Sequence, residues 1–146
     1  MKKILFLTLL LSLSVNIQAE TKKISELFKQ MPDSLMPYLT TNNCLDMIDF
    51  REAGMKAEVN NLLDGNSEMT YLSDDSLSIR MSDALRIDMS LMMKDSLQVC
   101  VRKTYMNKNS QIEVVVSFYT PNWHLINTTT EKTLVLKRDE ELFKDY

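Results

Sequence analysis

The chain has 146 residues with 17 lysine and arginine against 20 aspartate and glutamate side chains, a net charge of −3, and 45% hydrophobic residues. This is the length of one ordinary domain. The basic residues form no cluster, which argues against nucleic acid as a partner, since phosphate binding rests on concentrated positive charge. With two glycines, three prolines and no repeat, no segment reads as a long linker.

Lys2 and Lys3 precede an apolar run from Ile4 to Val15, and Ile17-Gln18-Ala19 ends on a small residue. That order is expected of a cleavable secretory signal over residues 1–19, of the compact bacterial type. The run falls short of the roughly twenty apolar residues of a membrane span, and no later segment approaches that length. Glu20, not a cysteine, directly follows Ala19, so no lipid-bearing residue is expected at the cleavage site. The mature chain is then a single domain, residues 20–146, with no transmembrane segment. Without Lys2 and Lys3 it holds 15 basic and 20 acidic side chains, a balance of −5.

Helical spacing governs the next third. Ser25 is a candidate cap for a short helix ending before Pro32, because proline disfavours helical geometry in the residue before it. Asn42 or Asn43 offers the cap of a longer helix with Leu45, Ile48 and Met55 on one face, Met47 at its flank and Gly54 at its end. From about Lys56 the period changes to two. Leu77, Ile79 and Met81 alternate with polar residues, as do Leu85, Ile87, Met89, Leu91 and Met93.

Hairpins must set apolar side chains opposite apolar ones, so loop lengths predict a register. The expected pairs are Met69 with Ile79, Tyr71 with Leu77, Met81 with Leu85, Ile79 with Ile87, Met93 with Leu97 and Leu91 with Val99. Beyond them come Met106 with Gln111, Val101 with Val116, Val99 with Phe118, Phe118 with Trp123 and Val116 with Leu125. The expected fold class is α+β, with N-terminal helices packed on one face of a curved antiparallel β-meander of about six to seven strands.

The phrases MPDSLMPYLTTNNCLDMIDF and LLDGNSEMTYLSDDSLSIRMSDALRIDMSLMM resemble those of an exported protein family of the Bacteroidales known only as a domain of unknown function. The resemblance spans the mature chain. It implies a Gram-negative envelope location, periplasmic or at the cell surface, and carries no activity, substrate or site residues with it.

Chemistry-bearing residues are few. His124 is the lone histidine; a Ser-His-Asp triad would require it, but the register puts Trp123 and Leu125 inward and His124 on the opposite face. One histidine and two cysteines are short of a closed zinc site. Cys44 and Cys100 could bridge in an oxidising compartment, although two semi-buried free cysteines are the favoured reading. Asp64-Gly65-Asn66-Ser67-Glu68 starts like a calcium loop, with Asp74-Asp75 one strand away, but lacks the glycine at the sixth position and the glutamate at the twelfth. Asp-Gly between strands reads as a turn. Met89-Ser90-Leu91-Met92-Met93 could suggest thioether ligands for copper(I), yet Met89 and Met93 are expected to fill the core and only Met92 to face away. No cofactor is expected.

All three Asp-Ser dipeptides precede leucine, at Ser34, Ser76 and Ser96. This resembles a short acceptor for O-glycosylation of exported proteins in that phylum; turn chemistry explains the same residues. Ser76 and Ser96, in turns between strands, are the better placed. Asn127-Thr128-Thr129 fits the N-glycan pattern, which is uninformative in a bacterium. The leading expectation is a non-enzymatic envelope domain that binds a protein, peptide or lipid. The alternatives are a hydrolase with a carboxylate-only site and a structural subunit of a surface assembly.

Overall fold

The computed structural model describes residues 22–107 and 111–134; the expected signal sequence lies outside them. Helix α1 spans Ile24–Lys29, a 3₁₀ turn spans Asp33–Leu35, and helix α2 spans Thr41–Glu52. The strands are β1 (Ala57–Asn60), β2 (Asn66–Leu72), β3 (Ser76–Ser82), β4 (Leu85–Met93), β5 (Leu97–Met106), β6 (Gln111–Tyr119) and β7 (Leu125–Leu134). They form one open antiparallel sheet in the order β1-β2-β3-β4-β5-β6-β7.

The helix starts differ from expectation. Ser25 does not cap α1: it is buried, and the preceding Lys23 makes no side-chain cap bond. The first free N–H of α1, on Ile24, instead donates to the carbonyl of Asp74 at 2.9 Å, so the β2–β3 turn completes the helix end. Helix α2 begins one residue after Thr40, earlier than an Asn42 or Asn43 cap would place it. The Thr40 hydroxyl accepts from the Asn43 N–H at 3.1 Å while the Thr40 N–H donates to Asn43 Oδ1 at 3.0 Å, a reciprocal capping box. Gly54 stops the helix as expected, at φ +70. The buried face differs from the expected one: Cys44, Met47 and Ile48 are buried, and Met55, past the helix end, is exposed.

Met69↔Ile79, Ile79↔Ile87, Met93↔Leu97 and Leu91↔Val99 pair as expected. Four junctions depart. A register shift after Met69 sets Tyr71 against Ser78 and Leu72 against Leu77, so Tyr71 leaves the core. A second shift sets Ser82 against Leu85 in place of Met81; an inserted residue adds a bulge without expelling its neighbours, and Met81 and Leu85 both stay buried. At β5–β6, Met106 pairs with Ile112, Val101 with Ser117 and Val99 with Tyr119. That one-residue slip turns Ile112, Val114, Val116 and Phe118 to the face opposite the helices. At β6–β7, Phe118 pairs with Asn127 and Val116 with Thr129.

The core lies between the helices and β1 to β5. Ile24, Phe28, Met36, Leu39, Met47 and Ile48 meet Met69, Leu77, Ile79, Ile87, Met89 and Val99. Trp123 joins this core from the β6–β7 turn: its indole N–H donates to the Leu27 carbonyl of α1 at 3.0 Å.

Candidate functional site

The residues singled out by sequence do not converge. His124 is exposed in the β6–β7 turn, where its backbone N–H donates to Thr120 Oγ1 at 3.2 Å and its carbonyl accepts from the Thr120 N–H at 2.9 Å. Leu125, expected inward, is 60% exposed because β7 lies beyond the helical cover. In the β1–β2 loop, the Asn61 carboxamide oxygen accepts from the N–H groups of Leu63 and Gly65 at 3.0 and 3.1 Å, and Asp64 sits at φ 58. These are turn contacts. Asp75 accepts from the hydroxyls of Ser73 and Ser76 at 2.8 and 3.1 Å, and these bonds hold its carboxyl below the usual range. Asp74 pairs with Lys23 at 3.0 Å. Among the described residues no cluster of three or more His, Cys, Asp or Glu could hold a metal.

Cys44 and Cys100 are both free. Cys44 lies on the buried face of α2, where burial pushes its thiol up to about 11. Cys100 alternates with the inward Val99 and Val101 on β5 and so belongs to the other face of the sheet. Met89 fills the core; Met93, also expected there, is 76% exposed, since the tip of β4 extends past α1. Ser34 and Ser96 are exposed, whereas Ser76 is half-buried and its hydroxyl is engaged by Asp75 and Ser73.

What the fold does bring together is a ledge on the helix-facing side of β5–β7. Helices α1 and α2 pack over β1 to β4, and the register then places Lys103 and Tyr105 of β5, Val115 and Tyr119 of β6, and Leu125, Thr128 and Thr130 of β7 in neighbouring rows beyond them. Ser117 and Thr128 bond each other across this ledge at 3.0 Å. On its reverse, Val114, Val116 and Phe118 are half-buried, so β6 carries apolar side chains on both faces. Among the described residues β7 has no strand beyond it.

Lys103 stands at the inner margin of the ledge, on the same face as Val99 and Val101 and between Ile87 and Val115. Its ammonium donates to the Leu35 carbonyl in the 3₁₀ turn at 3.0 Å, and burial pulls its pKa down. Tyr105, two residues along the same face, has its hydroxyl pushed up by burial and then by Tyr38 and Glu113. The one sequence signal for Lys103 is a lysine following Val99 and Val101 in the inward parity of β5.

Residues 14–142 match the family model described as "Protein of unknown function (DUF3256)". A solved structure titled "Structure of a domain of an uncharacterized protein from Porphyromonas gingivalis W83" shares the fold at a TM-score of 0.59 and 21% sequence identity. The likeness covers 71% of this chain and 53% of that one, so this chain spans about half of its neighbour's length. No curated protein matches the sequence.

Proposed function

The chain belongs to the DUF3256 family of proteins of unknown function, and we propose that it is a non-enzymatic binding domain of the bacterial cell envelope that takes its partner on the β5–β7 ledge. The observation that carries this reading is that β6 bears Ile112, Val114, Val116 and Phe118 on one face and Val115 and Tyr119 on the other, beyond the strands over which α1 and α2 pack. Apolar rows on a sheet are ordinarily covered, and an uncovered one is a place of contact. Export rests on residues 1–19, and the envelope of a member of the Bacteroidales is consistent with the origin of the structural neighbour.

A second reading, a subunit of a surface assembly, is favoured by β7. A ten-residue strand with residues 125–130 all exposed is a template for pairing with another chain. A carboxylate-only hydrolase would need two acids facing one another. The ledge instead brings forward a lysine, tyrosines and aliphatic side chains, with Glu113 as the acid among its described side chains. Glycosylation at Ser34 or Ser96 is part of the same proposal, because both hydroxyl-bearing residues are exposed.

The test is affinity capture from the native envelope with the mature chain and with a Val115→Lys, Leu125→Glu ledge variant. Loss of the captured component at an unchanged Tm is expected. Equal capture by both proteins would remove the ledge from the account.

A further inference from the structure

The cations in the pairs Lys23–Asp74, Lys29–Asp49, Lys56–Glu58, Arg80–Glu68 and Arg86–Asp88 each have a carboxylate within 4.0 Å. Lys103 has none among the described residues. Its ammonium donates to a neutral carbonyl, and in the sheet it stands between Ile87, which is fully buried, and Val115. A partly desolvated charge is ordinarily paired. A leucine or methionine would pack between Ile87 and Val115 without that desolvation cost, and the ammonium placed there instead is held by a neutral carbonyl that an anion can replace.

The surroundings specify the anion. One ammonium matches one carboxylate in charge, and Tyr105 on the same face adds a phenol beside it. From Lys103 the ledge continues along β6 from Val115 to Tyr119, which pairs with Leu125 of β7. Four residues of strand are about 13 Å, the length of a saturated chain of roughly ten carbons. Between these apolar residues the hydroxyls of buried Ser117 and exposed Thr128 bond each other, so a hydrocarbon crossing them leaves one hydroxyl hydrogen, not two, to be satisfied elsewhere.

Resting on the binding reading above, we propose that the ledge binds a long-chain monocarboxylate, a fatty acid. Its carboxylate replaces the Leu35 carbonyl as the acceptor of the Lys103 ammonium, and its chain lies over Val115 toward Tyr119 and Leu125. No bond is made or broken. The 3₁₀ turn Asp33–Leu35, which buries no residue of its own, is the segment that yields when the ammonium changes partner.

The probe is dodecanoate, held below its micelle-forming concentration and titrated into the mature chain by calorimetry and by amide NMR. Shifts at Leu35, Lys103, Val115 and Thr130 are expected. Binding should weaken at least tenfold in Lys103→Met and for the methyl ester of the same acid, and should persist in Lys103→Arg, with the amide spectrum of each variant reading its fold. Dodecyltrimethylammonium should not compete. No binding of dodecanoate, equal binding by Lys103→Met, or shifts confined to the opposite face would overturn the assignment. If dodecanoate fails while the ledge variant still loses its captured envelope component, the fatty acid is wrong and the binding surface stands; if capture is also unaffected, both fall.

Discussion

Trp123 and Leu27 are joined across 96 residues of sequence by a 3.0 Å hydrogen bond from the indole N–H to the helix carbonyl. Trp123 reaches that position from a turn, at φ 63, a region costly for residues with a Cβ. Tyr119 packs on it with ring centroids 5.8 Å apart. Together they fasten the β6–β7 hairpin, the least covered part of the sheet, to α1.

Trp123→Phe should keep most of the packing and lose the bond, destabilising by about 1–2 kcal/mol. Trp123→Ala should cost about 3–5 kcal/mol. Urea unfolding monitored by far-UV dichroism reads both. Equal and small losses would show that the indole does not hold the hairpin.

Cys44 predicts an alkaline loss of stability. Its thiol is raised from 9.0 to about 11 in the folded chain, so the folded state retains a proton that the unfolded state releases. The contribution is complete below pH 9 and disappears as pH rises through about 11, amounting to roughly 2–3 kcal/mol over that window. Cys44→Ala should remove this component of the slope. An unchanged slope would contradict the assignment.

Lys103 carries the opposite sign. Its folded pKa lies below the ordinary 10.5, so the desolvation penalty is present at neutral pH and is relieved as pH rises through the folded value toward 10.5. Lys103→Met should leave Tm unchanged or raise it at pH 7, because a packed thioether replaces a partly buried, unneutralised charge. A large fall in Tm would make the lysine a structural tie for the 3₁₀ turn.

His124→Ala should leave folding and capture nearly unchanged. The turn contacts at this position are made by its backbone, which alanine retains. Loss of a measured activity with Tm intact would overturn the non-enzymatic reading.

Intact mass of the chain from its native host, against the same chain made without glycosylation machinery, tests the modification. A hexose-scale ladder removed by Ser34→Ala and Ser96→Ala is expected, with Ser76→Ala without effect because its hydroxyl is already bonded to Asp75 and Ser73. Equal masses, after allowing for signal removal, would end the idea.

The sequential order of strands was legible because alternation over β3 and β4 is unambiguous and short loops leave no room for crossovers. The reversal at β6 was not. Val114-Val115-Val116 reads as apolar in either parity, so only the length of the preceding loop decides which face Val116 takes, and one extra residue in it inverted the strand. The bulges between Met69 and Tyr71 and between Arg80 and Ser82 have no glycine to announce them. Lys103 was hidden for a different reason: its meaning lies in what is missing around it, and spacing along one strand does not reveal neighbours from the 3₁₀ turn.

Site-specific photocrosslinking in living cells reads contact at the ledge itself. A benzoylphenylalanine replaces Thr130 on the ledge or Arg80 on the opposite face of the covered half, both exposed. An adduct from position 130, abolished by the Val115→Lys, Leu125→Glu variant, is expected, and none from position 80. Adducts from position 80 alone would contradict binding on the ledge.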